Sequence, residues 1–533
     1  MRMGAIGTGR RGVAGALALA LAAVAASTTA GAVSPAAAAS SVDGASLVDR
    51  SGEAAASALF DRLTDSPARL RLFLQAMPKG GDLHNHLSGT VYAEDYLRWA
   101  AEQGYCVTAA TATLSPPPCT APAEPVRGLG AADPVRYGTI VDGLSTRSHG
   151  AGVGKDERTG HDQFFATFGK FGAVAGQRSG ESLAAMRTLA AGDHVSYVEL
   201  IHNPDPLNAL VFRTSGALAP DGFEAAYAAT RPMLADFLRK ARADMDAAEA
   251  LSDRLLGCKG AQPAPGCAVT VLYQGYGLRA LTPAQVFRGL MLSFALAEAD
   301  PRFVGVNIVA PEDYPVAVDD YDLHMAMIRF LAGKYPGVKR SLHAGELTLG
   351  IVPPTALRDH IRKAIEVAGA RRIGHGVDIA HETQAADLLA RMARDKIAVE
   401  INLTSNDVIL GVRGREHPLA LYRAAGVPFV LSTDDEGVSR SDMTNEYMRA
   451  ALEQGLRYAD LKEAARAGLE YSFLPGASLW AGGVPGTAPA PVCAGGETAS
   501  CAAFLKGSLK ARLQAGLEKD FARFERQIVN WRF

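Results

Sequence analysis

The run Asp82-Leu83-His84-Asn85-His86-Leu87 sets two imidazoles two residues apart, and three later motifs bring further polar groups that could join them. These are His343-Ala344-Gly345-Glu346, Gly374-His375-Gly376 and Ser432-Thr433-Asp434-Asp435. Side chains alternate along an extended segment, so His84 and His86 point to the same side and can face one metal ion. A third histidine and a carboxylate arriving from other strands would complete a set of nitrogen and oxygen donors, which suits zinc. Glu346, His375 and Asp435 then remain as acid, base and anchoring groups. Such a site is built for hydrolysis, because bound zinc lowers the pKa of water from about 15.7 to about 7. At about 1.36 kcal/mol per unit, that is on the order of 12 kcal/mol in the cost of making hydroxide.

Each motif alone has a plainer reading. A single histidine near a strand end is commonly hydrogen-bonded filler, a Thr-Asp-Asp run is commonly a turn or helix cap, and Gly-His-Gly can be a tight turn. Taken together, the motifs supply different necessary parts of one site in a consistent strand order.

The elements that must position them follow from the hydrophobic pattern. Short β-rich runs are predicted at Gly81 to His86, Val195 to Leu200, Ala268 to Tyr273, Phe303 to Val309, Arg340 to His343, Arg372 to His375, Ile397 to Asn402 and Pro428 to Ser432. Between them lie helical patterns such as Ala284 to Ala299, Leu323 to Lys334, Thr355 to Ala368 and Ala385 to Arg394. Eight strands alternating with helices predict an α/β fold, a (β/α)8 TIM-type barrel. His84, His86, His343, His375 and Asp434 all fall at or just beyond carboxyl ends of predicted strands, the face on which barrel enzymes build their sites. Leu47 to Gln75 has helical periodicity around Leu59, Phe60, Leu63, Leu70 and Phe73, predicting an N-terminal helical extension. The Pro- and Gly-rich stretch from about Cys106 to Gly160 is too long for a simple connection and predicts an inserted lobe after the first strand.

The 533 residues carry 54 Lys and Arg against 56 Asp and Glu, a formal net charge of -2. No surplus of positive charge is available to displace counterions, which argues against a nucleic-acid partner and for a small-molecule substrate. Arg2, Arg10 and Arg11 followed by an apolar run to about Ala26 read as a secretory signal, too short to span a membrane. Cleavage falls between about 30 and 40, with Ala30-Gly31-Ala32 as one site; Arg10-Arg11 is a weaker match to a twin-arginine signal. The resulting division is a signal over 1–32, the helical extension over 33–76 and the barrel over 77–533, with its insertion at about 106–160. No membrane association is expected after cleavage, and the protein is expected to be secreted or periplasmic. The six cysteines form three local pairs, Cys106 with Cys119, Cys258 with Cys267 and Cys493 with Cys501, most simply disulfides in an exported chain.

With these motifs in hand, the sequence resembles the adenosine deaminase family of amidohydrolases. The Met77-Pro78-Lys79 lead-in, export signal and inserted lobe are most similar to its secreted, growth-factor-related branch. The resemblance covers roughly Met77 to Tyr471 apart from the insertion. It implies that His84, His86, His343 and Asp434 bind one zinc ion per chain. Glu346 is then the proton donor at the purine ring, His375 assists the attacking hydroxide, and Asp435 holds the base through another ring nitrogen. The implied function is an exported purine nucleoside deaminase, converting adenosine, and 2′-deoxyadenosine with it, to inosine products and ammonia.

The family pattern is not matched throughout. Ser88 stands where relatives commonly carry an acid near the ribose, Asn307 replaces a usual aspartate, and Val309-Ala310-Pro311 replaces a Gly-containing turn. Ala310 still offers a backbone N–H to a purine nitrogen. Phe164, Phe165, Phe168 and Phe171 could line the pocket or pack a helix, and Thr404-Ser405-Asn406 reads as a loop brace. Two other functions stay open: another mononuclear-zinc amidohydrolase acting on a lactam or ester, and a secreted non-catalytic binding or signalling protein on the same fold. Phe303 to Ala310 holds no lysine to bridge two metals, which favours a single ion. The extension before Met77 could support a homodimer.

Overall fold

The computed structural model describes residues 47–48, 50–152 and 159–531; the signal segment and its cleavage region lie outside them. Among the described residues, eight parallel strands pair in sequence order into one sheet. They are β1 (Gly80–His86), β2 (Val195–Ile201), β3 (Thr270–Leu278), β4 (Phe303–Val309), β5 (Lys339–Ala344), β6 (Arg372–His375), β7 (Ala398–Ile401) and β8 (Phe429–Leu431). The sheet closes just past the end of β8. There the Asp434 N–H donates to the His84 carbonyl at 2.8 Å, and the His86 N–H to the Asp434 carbonyl at 3.4 Å.

β2, β4, β6 and β7 are almost wholly buried, as parallel strands covered by helices must be. β3 runs beyond the predicted Tyr273 to Leu278, because Gly275 and Gly277 interrupt the apolar pattern without interrupting pairing to β4. The helix Pro283–Ala299, between β3 and β4, begins with Pro283 at its first turn and a capping box from Thr282 and Gln285. Leu290, Leu292, Phe294 and Leu296 on it are buried in the main core.

The predicted single helix over Leu47 to Gln75 is instead two, Glu53–Leu63 and Pro67–Ala76. Pro67 has no N–H and disfavours helix at the residue before it, so it starts the second helix. Their apolar faces are used within this chain: Phe73 packs edge-on against Phe60, Tyr458 and Phe524, with ring centroids 5.6, 5.7 and 5.2 Å apart.

The described part of the insertion forms elements of its own. Cys106–Thr108, Thr113–Ser115 and Glu124–Pro125 form a small antiparallel sheet, followed by the helix Pro134–Gly143. It continues past the expected limit into the helix Gly160–Ala175, and its apolar residues form a second core around Tyr96, Val107, Leu114, Ile140 and Phe171. The three local disulfides are formed as paired in the sequence.

Candidate active site

The strand ends bring the polar motifs together in one place. The ring nitrogens of His84, His86 and His343 lie within 4.8 Å of one another, and so do donor atoms of His84, His375 and Asp434. His86 Nε2 is 3.3 Å from both His343 Nε2 and Asp434 Oδ1. His84 Nε2 is 3.6 Å from Asp434 Oδ1, fully buried, and has no hydrogen-bond partner. Several imidazole nitrogens crowded on one carboxylate, with a buried nitrogen left unpaired, fit a bound cation and little else. His84, His86, His343 and Asp434 are therefore able to hold a metal.

Backbone strain gathers here. Among the nine described non-glycine residues at positive φ are His375 (φ 68°), Asp434 (φ 57°) and Ala310 (φ 89°). Left-handed backbone is disfavoured for side-chain-bearing residues and persists where the surrounding structure imposes it, commonly at functional sites. Two glycines of the motifs have steric reasons. A Cβ on Gly374 would come within 2.8 Å of the His84 ring, and one on Gly89 would lie 1.5 Å from Asp435 Oδ1.

A layer of buried groups orients the imidazoles. His84 Nδ1 meets Glu400 Oε2 at 2.8 Å, and Glu400 is shared with Arg372 and Ser341. Against the cost of burial, Arg372 and His84 hold the Glu400 carboxyl down at about 2. His343 Nδ1 meets Asn307 Oδ1 at 2.9 Å. The residue that departs from the family pattern on β4 thus still offers an oxygen to this histidine. His375 Nδ1 lies 2.9 Å from Asn406 Nδ2 and 3.3 Å from Asn402 Nδ2. Asn406 belongs to the helix Leu403–Leu410, so the expected loop brace is helical and reaches the site directly.

Glu346 is 6% exposed and its backbone N–H donates to Glu312 Oε2 at 3.0 Å. Burial, reinforced by the charge of Asp434, pushes the Glu346 carboxyl well above the usual range. Burial and Asp434 do the same to Asp435, whose Oδ1 has no partner. Glu312 stays ionised: against burial, Arg279 and His360 hold it at about 2.

These groups line one cavity of about 350 Å³, walled by Phe164, Phe165, Phe168, Leu278, Val309 and Tyr314. Ala310 lies on this wall, and its carbonyl accepts from Arg279 Nε at 2.6 Å. Three of the four phenylalanines face the cavity, whereas Phe171 is buried and stacks on Tyr96 at 4.6 Å. Ser88 borders the main cavity and also a side cavity of about 230 Å³ that reaches His202 and Asn203.

Glu400, Glu199, Arg372 and Glu312 were not singled out from the sequence. A charged residue alone inside an apolar strand, as in Ala398-Val399-Glu400-Ile401, is the signal that marks Glu400 and Glu199; Arg372, beside Arg371 at a strand start, and Glu312, beside Asp313 in a loop, carry no such signal.

Residues 191–478, more than half of the 533, match the family model described as adenosine deaminase. The chain belongs to the adenosine deaminase family. The matched region contains His343, Glu346, His375, Asp434 and Asp435, and His84 and His86 lie upstream of it. Two curated adenosine deaminases are among this family member's relatives. That of Shewanella loihica is 36% identical over 139 residues, 26% of this chain and 39% of the relative. That of Clostridium kluyveri is 28% identical over 185 residues, 33% of this chain and 48% of the relative. The matches thus span less than half the length of these relatives. The crystal structure of an adenine deaminase from Arthrobacter aurescens is similar in fold, with a TM-score of 0.50 at 16% identity over 75% of this chain and 94% of that one.

Proposed function

We propose that this chain is an exported, zinc-dependent purine nucleoside deaminase that hydrolyses adenosine and 2′-deoxyadenosine to inosine and 2′-deoxyinosine with release of ammonia. The observation that carries the reading is the cluster of His84, His86, His343 and Asp434 at the base of one cavity that His86, His343 and Asp434 line together with Glu346, His375 and Asp435. Family membership points the same way.

His84, His86, His343 and Asp434 would hold the ion, and three nitrogens with one carboxylate oxygen are the donors zinc prefers. When bound, zinc acidifies water to a pKa of about 7 and so supplies a nucleophile at neutral pH.

The chain's own groups do the rest. Deamination adds an oxygen to the purine carbon bearing the amino group, which places charge on the neighbouring ring nitrogen. Glu346, kept protonated by burial and by Asp434, delivers a proton to that nitrogen as charge develops. His375, on the adjacent strand end, orients the attacking oxygen. Asp435 holds a second ring nitrogen and, with the backbone N–H of Ala310, sets the tilt of the base. The phenylalanines of the lobe helix Gly160–Ala175 cover the aromatic ring and exclude water. Ser88 and the side cavity behind it receive the sugar.

The exported setting rests on the basic and apolar amino-terminal run and on three local disulfides, which persist in oxidising compartments. The deciding experiment is an ultraviolet assay of the purified protein against a panel of aminopurine bases, nucleosides and nucleotides, with metal analysis of the same sample. One zinc per chain and fastest turnover of 6-aminopurine nucleosides is expected. Turnover of a lactam or ester alone, or two metals per active chain, would sink the reading. Cell fractionation with amino-terminal sequencing tests export.

A further inference from the structure

We propose that His417 and Asn406 fix which nitrogen of His375 carries the proton, so that His375 meets the attacking oxygen as a hydrogen-bond donor. The inference rests on the deaminase reading above for its consequence, although the proton's position can be measured without any substrate.

One group in this network has a polarity that cannot vary. The backbone N–H of Leu419 lies 3.2 Å from His417 Nδ1, and a backbone amide can only donate. His417 Nδ1 is therefore an acceptor, and the proton of the neutral ring is on Nε2. That Nε2 is 3.0 Å from the side-chain oxygen of Asn406, which accepts from it. With its oxygen committed, Asn406 must turn its NH2 toward His375, where Nδ2 is 2.9 Å from Nδ1. His375 Nδ1 thus accepts, and the proton of its neutral ring is on Nε2, 3.8 Å from Asp434 Oδ2.

Burial shields this assignment from solvent. His417 is 2% exposed and both Asn406 and His375 are 0%, so bulk water does not exchange for these partners. Burial, with help from Arg449, holds the His417 pKa at about 3, so the ring is neutral and free to accept from Leu419. Asn402 also turns its Nδ2 toward His375 Nδ1, at 3.3 Å, and Glu346 Oε1 is 3.6 Å from that nitrogen, beyond hydrogen-bond distance. His375 Nε2 itself has no partner in the protein, which suits a donor whose acceptor arrives with the reactants.

Two of the rings able to hold the metal show the opposite polarity. His84 Nδ1 faces the Glu400 carboxylate, and His343 Nδ1 faces the Asn307 oxygen. The Asn307 oxygen is itself fixed by the backbone N–H groups of Ile308 and His343 at 2.9 and 3.2 Å. Acceptors behind these rings place their protons on Nδ1 and leave Nε2 bare to ligate a metal. A donor behind His375 does the reverse. Two amide side chains thus separate the histidine that orients from the histidines that ligate, although all of them crowd the same space. Asn406 and His417 are positioning residues for the reaction.

Nitrogen NMR of the metal-loaded protein labelled at histidine tests this directly, with His375→Gln used to identify the His375 signals. The wild type is expected to show a protonated Nε2 and a bare Nδ1. Asn406→Asp presents acceptors to both rings, so it should move the His375 proton to Nδ1. It should also lower kcat by about 10²-fold or more, with KM and metal content little changed. His417→Gln, which can still donate to the Asn406 oxygen, should keep the wild-type tautomer and most of kcat. A wild-type spectrum with the His375 proton on Nδ1 overturns the proposal even if neither variant folds. So does an Asn406→Asp protein whose His375 tautomer is unchanged, or whose KM rises at constant kcat. Absence of turnover on every aminopurine would instead remove the deaminase reading and leave the tautomer measurement standing.

Discussion

Glu346 has little reason to ionise in its buried place beside Asp434. A group in that state is a stored proton, and replacing it by the near-isosteric amide should leave the fold and metal intact while removing the proton. Glu346→Gln is accordingly expected to retain its metal and lose about 10²- to 10⁴-fold in kcat, checked by steady-state kinetics beside metal analysis. The sign of the pH dependence follows. An acid whose pKa is raised is active below that pKa, so kcat should fall as pH rises through it, and Glu346→Gln should lack that alkaline limb. A wild-type rate that climbs steadily with pH would exclude Glu346 as the donor. Asp435 makes a different prediction because one of its oxygens is buried without a partner. If the base supplies that partner at N7, replacing N7 by C–H should cost about 1–3 kcal/mol, or about 5- to 150-fold in kcat/KM. Asp435→Ala should flatten the preference for adenosine over its 7-deaza analogue while keeping metal. Equal handling of both by the wild type would leave Asp435 as a support for Asp434.

Strand ends carry the chemistry, but short turns decide where it points. Asp435 can occupy its place because Gly89, in the turn after β1, has no Cβ; an added one would lie 1.5 Å from Oδ1. Gly89→Ala should therefore displace the Asp435 carboxylate without replacing any residue able to hold the metal. A shift of about 1 Å in a positioned group can cost about 10²-fold, so a loss of that order in kcat/KM with full metal content is expected. Unchanged kinetics would show that the turn yields instead. At this scale the sequence was readable where pattern and position coincide. β4 falls where predicted because Phe303 to Val309 is a short apolar run bounded by turns, and β6 does so although Ile373 is its one aliphatic residue. The histidine and aspartate motifs were readable because their residue types are costly to bury without a purpose. Asn406 was legible only as part of a loop brace and His417 not at all, since an asparagine and a histidine before a proline look ordinary until a distant strand brings His375 to Asn406. The break between the first two helices was written in Pro67, yet the apolar period running through it masked the stop.

On the scale of the whole molecule, the lobe has its own cross-link and a second small core that it shares with Val377, Ile409, Leu410 and Val438 of the barrel. Cys106, on the central strand of the three-stranded sheet, is bridged to Cys119, 13 residues on. Removing that bridge should destabilise the lobe by about 3 kcal/mol, read as faster proteolysis and an earlier melting step in a Cys106→Ser, Cys119→Ser protein. Peptide mapping without reductant that finds free thiols or long-range pairs would contradict the pairing. The position of the barrel's seam has a wider consequence. The sheet is fastened shut by hydrogen bonds between His84, His86 and Asp434, the same residues able to hold the ion. Cofactor and architecture are then thermodynamically linked: whatever binds these side chains also clasps the first strand to the last, and stabilises the closed ring in proportion to its affinity. Chelation should accelerate amide hydrogen exchange at His86 and Asp434 far more than at the Phe303–Val309 strand across the barrel. Loss of metal in this protein would be felt as an opening of its circumference before it was felt as a loss of chemistry.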